Sequence, residues 1–562
     1  MLLSGSVTTD DVALLNPSKA MTSYLNTIDR PALMTQLYLI TSKTYITSQI
    51  PITATIFFVG RCAVPHRISF SFSFSMLKKA ELVFIPMPVM GHFVSTVQLA
   101  KLLVHLNSNL SISVLNIKPP YDNSKITSYI DSLTADTTST TTSRIKFINL
   151  QPESYPDDVS EFFVTLVQTQ GPLVKEAVTN IVEHSNTVPD SPLLAGFVFD
   201  MFLTQFVDLA NEFGVPSYAF YTSGAGFLGF QFQVQVLHDE QNVEFVELKD
   251  SDKEFTIPAY ANPVSTKLFP TGVFTPEGFS FFLKTVKGLK GMKGIMVNTF
   301  SELESHAIDS LSNGKLRIPP VHPVGPILNL EGLSGTHQND DTIMQWLDEQ
   351  PHSSVVFLCF GSMGSFGADQ VKEIANALEQ SGHRFLWSLR KSTKQEKGGF
   401  GSPTDYENVA EVLPEGFLDR TAEIGKIIGW APQVAILGHS AIGGFVSHCG
   451  WNSTLESIWF GVPMIAWPLY AEQQLNALTL VKELGLAVEI KMDYGIDGGE
   501  NEIEIVKAEK IEKGIRRLME QDNDVRNRMR EMGDRCRKTL MDGGSSHSTL
   551  CRIIDDIMDN IP

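Results

Sequence analysis

The feature that most constrains this chain is a repeated unit: a short apolar run that stops at a turn and leads into a segment with helical spacing. Residues 80–86 (AELVFIP) are the first such run. A Gly-His turn follows, and residues 94–106 then carry apolar side chains at helical spacing. Further runs lie at residues 111–117, 194–200, 217–221 and 294–299. A polar stretch to about Asp341 (LEGLSGTHQNDD) reads as a linker. A second series opens at residues 354–360 (SVVFLCF) and continues at 384–389, 425–428, 443–447 and 464–466. Short, continuously apolar strands alternating with helices are the pattern of parallel sheets covered on both faces. The expectation is an α/β chain with two doubly wound domains facing a cleft, over residues 76–326 and 343–540, joined by residues 327–342.

Residues 1–75 break this pattern. They are rich in Ser and Thr, contain no Glu, and end in alternating Ser and Phe just before Met76. Two readings fit: a transit peptide, or upstream sequence preceding a working start at Met76. Arg-rich amphipathic spacing is missing, which favours the second, and the segment is expected to be disordered or outside the mature fold.

The formal net charge is -19, and no stripe of Lys and Arg offers the counterion release that nucleic-acid binding requires. A phosphorylated ligand would have to be held by local dipoles. The five cysteines (Cys62, Cys359, Cys449, Cys536 and Cys551) are scattered, with no C-x-x-C pair, which speaks against a disulfide framework or zinc site. No apolar run approaches the roughly 20 residues of a membrane helix. These features together point to the cytoplasm and to no membrane span.

The densest chemistry lies in residues 430–474, WAPQVAILGHSAIGGFVSHCGWNSTLESIWFGVPMIAWPLYAEQQ. A strand ending near Ser447 gives way to the small-residue turn His448-Cys449-Gly450, and a helix is expected to start near Asn452 or Ser453. A helix N-terminus presents unpaired N–H groups and a partial positive charge, so it suits a phosphate. His448, Asn452 and Ser453 add donors there. Ser453 and Glu456 also fit an ordinary capping box, and Trp430, Trp451 and Trp467 would individually suit a core.

In the first half, His92 follows the first strand and Asp200 closes another. In a doubly wound fold both positions reach the crevice at the strands' carboxyl ends. An imidazole with an ordinary pKa of about 6.5 suits proton abstraction. A carboxylate behind it would fix its tautomer.

The stretch from Trp430 to Gln473 resembles the 44-residue signature box of plant secondary-product UDP-glycosyltransferases, with its W-A-P-Q opening, H-C-G-W-N-S core and terminal E-Q. From Met76 onward the chain resembles that family throughout, which implies GT-B architecture. By that resemblance Trp430 stacks on uracil, the Ala431 backbone meets the base edge, and Gln433 and Glu456 hold the ribose. His448, Asn452 and Ser453 hold the diphosphate, with Ser362 of the Phe360–Ser365 loop on the phosphate side. Trp451, Glu472 and Gln473 lie against the donor sugar. Glu472 replaces the family's usual Asp, and Gln473 is the choice associated with glucose. The resemblance also makes His92 the base and Asp200 its relay partner, with Gly91, Phe93, Thr222 and Ser223 bordering the acceptor pocket. It implies inverting transfer from UDP-glucose to a small lipophilic acceptor without a metal, and the chain is separately expected to act as a monomer. Residues 541–562 would form a last helix packing back on the first domain.

Other signals compete. Gly224-Ala225-Gly226-Phe227-Leu228-Gly229 fits G-x-G-x-x-G, but a helix-like segment follows where the acidic strand end of a dinucleotide site belongs. Asp250-Ser251-Asp252 and Asp522-Asn523-Asp524 fit D-x-D, yet both sit in polar runs that close no strand. A silent UDP-sugar-binding protein and an acceptor-independent nucleotide-sugar enzyme, such as an epimerase, are the rival functions.

Overall fold

All six side chains of the first apolar run, Ala80–Ile85 (β1), are buried. Leu82 and Phe84 join the core on one face of the sheet, and Val83 and Ile85 the core on the other. This two-residue alternation between two apolar layers explains the nearly continuous apolar run, and its one charged member, Glu81, is buried as the acceptor of the Ser111 and Ser113 hydroxyls. In the computed structural model, β1 is an inner strand of a seven-stranded sheet. The other strands are Leu110–Ile117 (β2), Ile145–Leu150 (β3), Leu193–Asp200 (β4), Ser217–Tyr221 (β5), Gly294–Val297 (β6) and Val321–Pro323 (β7). Their order is β7-β6-β5-β4-β1-β2-β3, and every pairing is parallel.

The second sheet has six parallel strands: Val355–Cys359 (β8), Arg384–Ser388 (β9), Gly425–Ile428 (β10), Ile442–Ser447 (β11), Met464–Ala466 (β12) and Ala487–Glu489 (β13). Its order is β10-β9-β8-β11-β12-β13. Val355 and Phe357 pack on one face, Val356 and Leu358 on the other. The chain reverses direction across each sheet at one place, between β1 and β4 and between β8 and β11. Ligands of open α/β sheets bind at such switch points, beyond the carboxyl ends of the strands. The strand series read from sequence matches these elements closely. The strands it did not anticipate are β3, an edge strand with a half-exposed IKFINL run, and the three-residue β7 and β13.

The structure describes residues 37–38, 53–58, 67–71, 78–120, 123–135, 142–152, 159–331, 340–392, 403–493 and 504–561. Most of the expected 1–75 extension and residues 332–339 of the expected linker therefore lie outside the described residues. Within the first 77 residues, Leu37–Tyr38, Thr53–Phe58 and Arg67–Ser71 form an antiparallel three-stranded sheet. Residues 78–562 form one compact unit holding both parallel sheets.

Four helices shape the ends of these sheets: Met90–Leu106 (α1), Ala225–Gln241 (α2), Trp451–Phe460 (α3) and Ser545–Asp559 (α4). Helix α4 places Leu550, Ile553, Ile554 and Ile557 in the core beside Leu82, Phe84 and Val97 of the first half. Tyr218 Oη and Lys293 Nζ hold its Asp556 carboxylate at 2.5 and 2.6 Å. The last helix thus crosses from the second sheet to the first. Among the described residues no helix is long and apolar enough to cross a membrane.

Candidate active site

Helix α1 begins at Met90 and not near Val94, so His92 sits in a helical first turn instead of a loop. Gly91 and His92 interrupt the apolar spacing between Met90 and Phe93, so periodicity alone misses this turn. Asp200 is the last residue of β4 and fully buried. The switch point between β1 and β4 therefore brings the two together, with His92 Nδ1 2.7 Å from Asp200 Oδ2. An ionised carboxylate can only accept, so Nδ1 carries the proton and Nε2 keeps its lone pair. Thr222 Oγ1 lies 2.9 Å from the same Nδ1, and the backbone N–H of Phe202 donates to Asp200 Oδ1 at 3.0 Å. Burial opposes protonation of His92, but the charge and hydrogen bond of Asp200, helped by Glu472, outweigh it and raise the pKa above 6.5.

The second switch point carries His448. Strand β11 ends at Ser447, whose Oγ accepts the Cys449 N–H at 3.1 Å. Cys449 takes a left-handed φ of 62°, and α3 starts two residues later behind Gly450. The His448 imidazole is 6% exposed and wedged between two glycines. A Cβ at either Gly361 or Gly450 would stand 2.5 Å from its Nε2. Its Nδ1 is buried without a hydrogen-bond partner among the described residues, and desolvation lowers its pKa to about 4. A neutral imidazole with an unused ring nitrogen at a helix N-terminus can donate to, or accept from, a ligand placed there.

Beside it, Gln433 Nε2 donates to Ser453 Oγ at 2.8 Å and to Glu456 Oε2 at 2.6 Å. Desolvation pushes the Glu456 carboxyl up to about 7, against the pull of the Gln433 bond. Ala431 is buried, with its carbonyl accepting the Gln433 N–H. The Trp430 ring carries the Lys125 ammonium 3.6 Å from its centroid and the Arg390 guanidinium at 5.3 Å. Ser362 is exposed in the turn after β8.

The two halves meet through side chains. Asn452 Nδ2 donates to Gly91 O at 3.1 Å, and Ser95 Oγ lies 3.3 Å from Asn452 Oδ1, so the first turns of α1 and α3 touch. Ser223 Oγ donates to Glu472 Oε1 at 3.2 Å. Trp451 Nε1 donates to Asn298 O at 2.6 Å. Gln473 Oε1 accepts the N–H groups of Leu469 and Tyr470 at 2.9 and 3.1 Å, which fixes the turn ahead of it.

A family model described as "UDP-glucoronosyl and UDP-glucosyl transferase" matches residues 304–515. The UDP-glucose flavonoid 3-O-glucosyltransferase 6 of Fragaria ananassa is 54% identical over 488 residues, covering 86% of this chain and 99% of that protein. The chain belongs to the plant UDP-glycosyltransferase family. A UGT transferase from Siraitia grosvenorii, solved in complex with UDP, shares 48% identity and a TM-score of 0.76 over 85% of this glycosyltransferase and 100% of that chain. UGT71G1 of Medicago truncatula, complexed with UDP-glucose, shares 40% identity and a TM-score of 0.73, covering 85% and 98%. These relatives place the two parallel sheets within the GT-B architecture.

Several sequence expectations change in the folded glycosyltransferase. Helix α3 starts at Trp451, and the capping box does not form: Gly450 is the N-cap, while Ser453 and Glu456 turn to Gln433. Phe93 is fully buried in the core with Leu82, Phe84 and Val97. As a helical neighbour of His92 it projects about 100° around the axis, toward the sheet. Gly91 carries the Asn452 contact, and Thr222 and Ser223 touch His92 and Glu472. The described aromatics beside the imidazole are Phe202, with ring centroids 5.3 Å apart, and Phe281, 6.0 Å beyond it. Both D-x-D matches are accounted for locally. Asp252 pairs with Lys267 and Ser265, and Asn523 caps the helix Asp524–Thr539.

Sequence reasoning missed Phe202, Lys125, Arg390, Asn298 and Glu304. Only Phe202 had a local signal, its place two residues after Asp200.

Proposed function

We propose that this glycosyltransferase moves glucose from UDP-glucose onto a hydroxyl of a small lipophilic acceptor, with inversion, to give a β-glucoside and UDP. The observation that carries the reading is the Asp200-backed imidazole of His92 lying on the helix turn that touches the first turn of α3. The base and the anion-holding dipole are thus adjacent.

In this mechanism His92 Nε2 takes the acceptor hydroxyl proton as that oxygen bonds the anomeric carbon. The anomeric bond to the diphosphate breaks on the opposite face, and its electron pair leaves with UDP. The growing charge falls on His448, Asn452, Ser453 and the N–H groups opening α3, with Ser362 on the phosphate side. Trp430 stacks the base, the Ala431 backbone meets its edge, and Gln433 and Glu456 take the ribose diol. Hydroxyl donors from the diol would favour ionised Glu456. Trp451, Glu472 and Gln473 flank the sugar, and Thr222 and Ser223 close the space beside it. Phe202 and Phe281 offer an aromatic wall to a flat phenolic acceptor, the class named for the Fragaria relative. Because one chain supplies every group invoked here, the reading includes action as a monomer. The scattered cysteines suit the cytoplasm. No step calls for a metal.

The test is UDP release from UDP-glucose with a panel of flavonols, coumarins and terpenoid alcohols. Release is expected only when an acceptor is present, with a β-linked product by proton coupling at the anomeric carbon. UDP release at the same rate without acceptor, or an α-linked product, would sink the reading.

A pH profile gives a second check. His92 works as a base only when unprotonated, and its raised pKa keeps it protonated to higher pH than a free imidazole. The acid limb of kcat/KM is therefore expected above pH 6.5, with activity falling as pH drops through it. Asp200→Asn removes the main influence that raises the pKa. The limb should then move to lower pH while the plateau rate falls. An unmoved limb would assign it to another group.

A further inference from the structure

The G-x-G-x-x-G at Gly224–Gly229 opens α2 with no side-chain cap from its own turn. Its exposed N–H groups are not left for a ligand. Glu304, distant in sequence and 6% exposed, reaches in so that Oε2 accepts the Ala225 N–H and Oε1 the Gly226 N–H, each at 2.8 Å. A buried carboxylate thus sits where a dinucleotide's pyrophosphate would sit in a cofactor-binding fold. Burial pushes the Glu304 pKa up, and the two N–H groups pull against that. The glycines make this approach feasible. A Cβ on Gly224 would stand 2.8 Å from Glu304 Oε1 and 2.9 Å from Trp451 Cη2. One turn of backbone is therefore gripped by a carboxylate from the first half and by an indole from the second.

The residues just ahead of that turn are Thr222, at 2.9 Å from His92 Nδ1, and Ser223, at 3.2 Å from Glu472. We propose that Glu304 is a positioning residue for glycosyl transfer: by locking the first turn of α2 it sets Thr222 against the His92 imidazole, sets Ser223 against Glu472, and seats Trp451. Glu304 touches neither donor nor acceptor in this arrangement and acts through those three side chains. The inference rests on the transfer reading and adds a residue outside the nucleotide-holding groups.

Glu304→Gln keeps the shape but presents an amide N–H₂ to one of the two backbone N–H groups. The first turn of α2 must shift to relieve that conflict, and an ångström-scale displacement near a reaction centre lowers the rate by up to about 100-fold. The experiment measures kcat for acceptor-dependent UDP release and, by calorimetry, the affinity for UDP. UDP lacks the sugar, and Gln433 bonds Ser453 and Glu456 within the second half. The expected result for Glu304→Gln is kcat lowered about 10–100-fold with UDP affinity within about threefold of the parent, since that site keeps every hydrogen bond it had. Glu304→Asp, which retains the charge, should recover part of the rate. The proposal is overturned if Glu304→Gln keeps the parent kcat. It is also overturned if UDP affinity falls in step with kcat, which would mark a general loss of structure, or if the aspartate is no better than the glutamine. Parent enzyme that releases no UDP in the same assay would count against the transfer reading itself, a separate outcome.

Discussion

Replacing His92 with alanine is expected to lower kcat by about 10²–10⁴-fold, the range general-base catalysis supplies. The substitution leaves UDP affinity near the parent value. The reason lies in the division of labour between the two switch points. Asp200 is fully buried and bonded to His92 Nδ1 at 2.7 Å, so Nε2 is held as the lone-pair nitrogen and the nascent imidazolium meets a fixed counter-charge. Thr222, at 2.9 Å from the same nitrogen, has a hydroxyl too weakly basic to take the proton at neutral pH. The residual rate would come from orientation and from the dipole of α3, both untouched by the change. Saturating steady-state kinetics with calorimetry for UDP tests this. A His92→Ala enzyme turning over at the parent rate would remove the base from the mechanism.

The second large effect is expected at Gly361. Its φ of 76° lies in the left-handed region, and a Cβ there would stand 2.5 Å from His448 Nε2 and 2.8 Å from Cε1. The imidazole has no room to retreat, because Gly450 backs onto the same nitrogen. Gly361→Ala therefore has to move either His448 or the turn that carries Ser362. Added to the strain of about 1–2 kcal/mol for an L-residue in this conformation, the displacement is expected to lower kcat/KM for UDP-glucose about 100-fold. UDP affinity falls with it, unlike the His92 variant. Gly367 provides the control. It is the N-cap of Ala368–Ser381 with φ of -68°, and a Cβ there would meet nothing within 4 Å among the described residues. Gly367→Ala should behave as the parent enzyme. Equal behaviour of the two alanine variants would show that the fit around His448 does not govern donor use.

The sequence by itself determined the two βα series, the stretch bearing Trp430, His448 and Glu456, and the strand end at Asp200. These are local properties. A strand buried on both faces must be apolar along its length, and a strand–turn–helix junction needs its small residues in a row. Side-chain direction was less legible. Phe93 follows His92 in the chain yet points to the core, because where α1 begins decides which way each residue turns, and Gly91 and His92 interrupt the apolar spacing of its first turn. The tertiary structure alone decided that Thr222 meets His92, that Lys125 lies over Trp430, and that Glu304 fills the anion site of a glycine-rich turn. Those partners stand far apart along the chain. They become neighbours through the strand order of each sheet and through the way the two sheets' carboxyl ends abut, and no periodicity in a linear sequence carries that information.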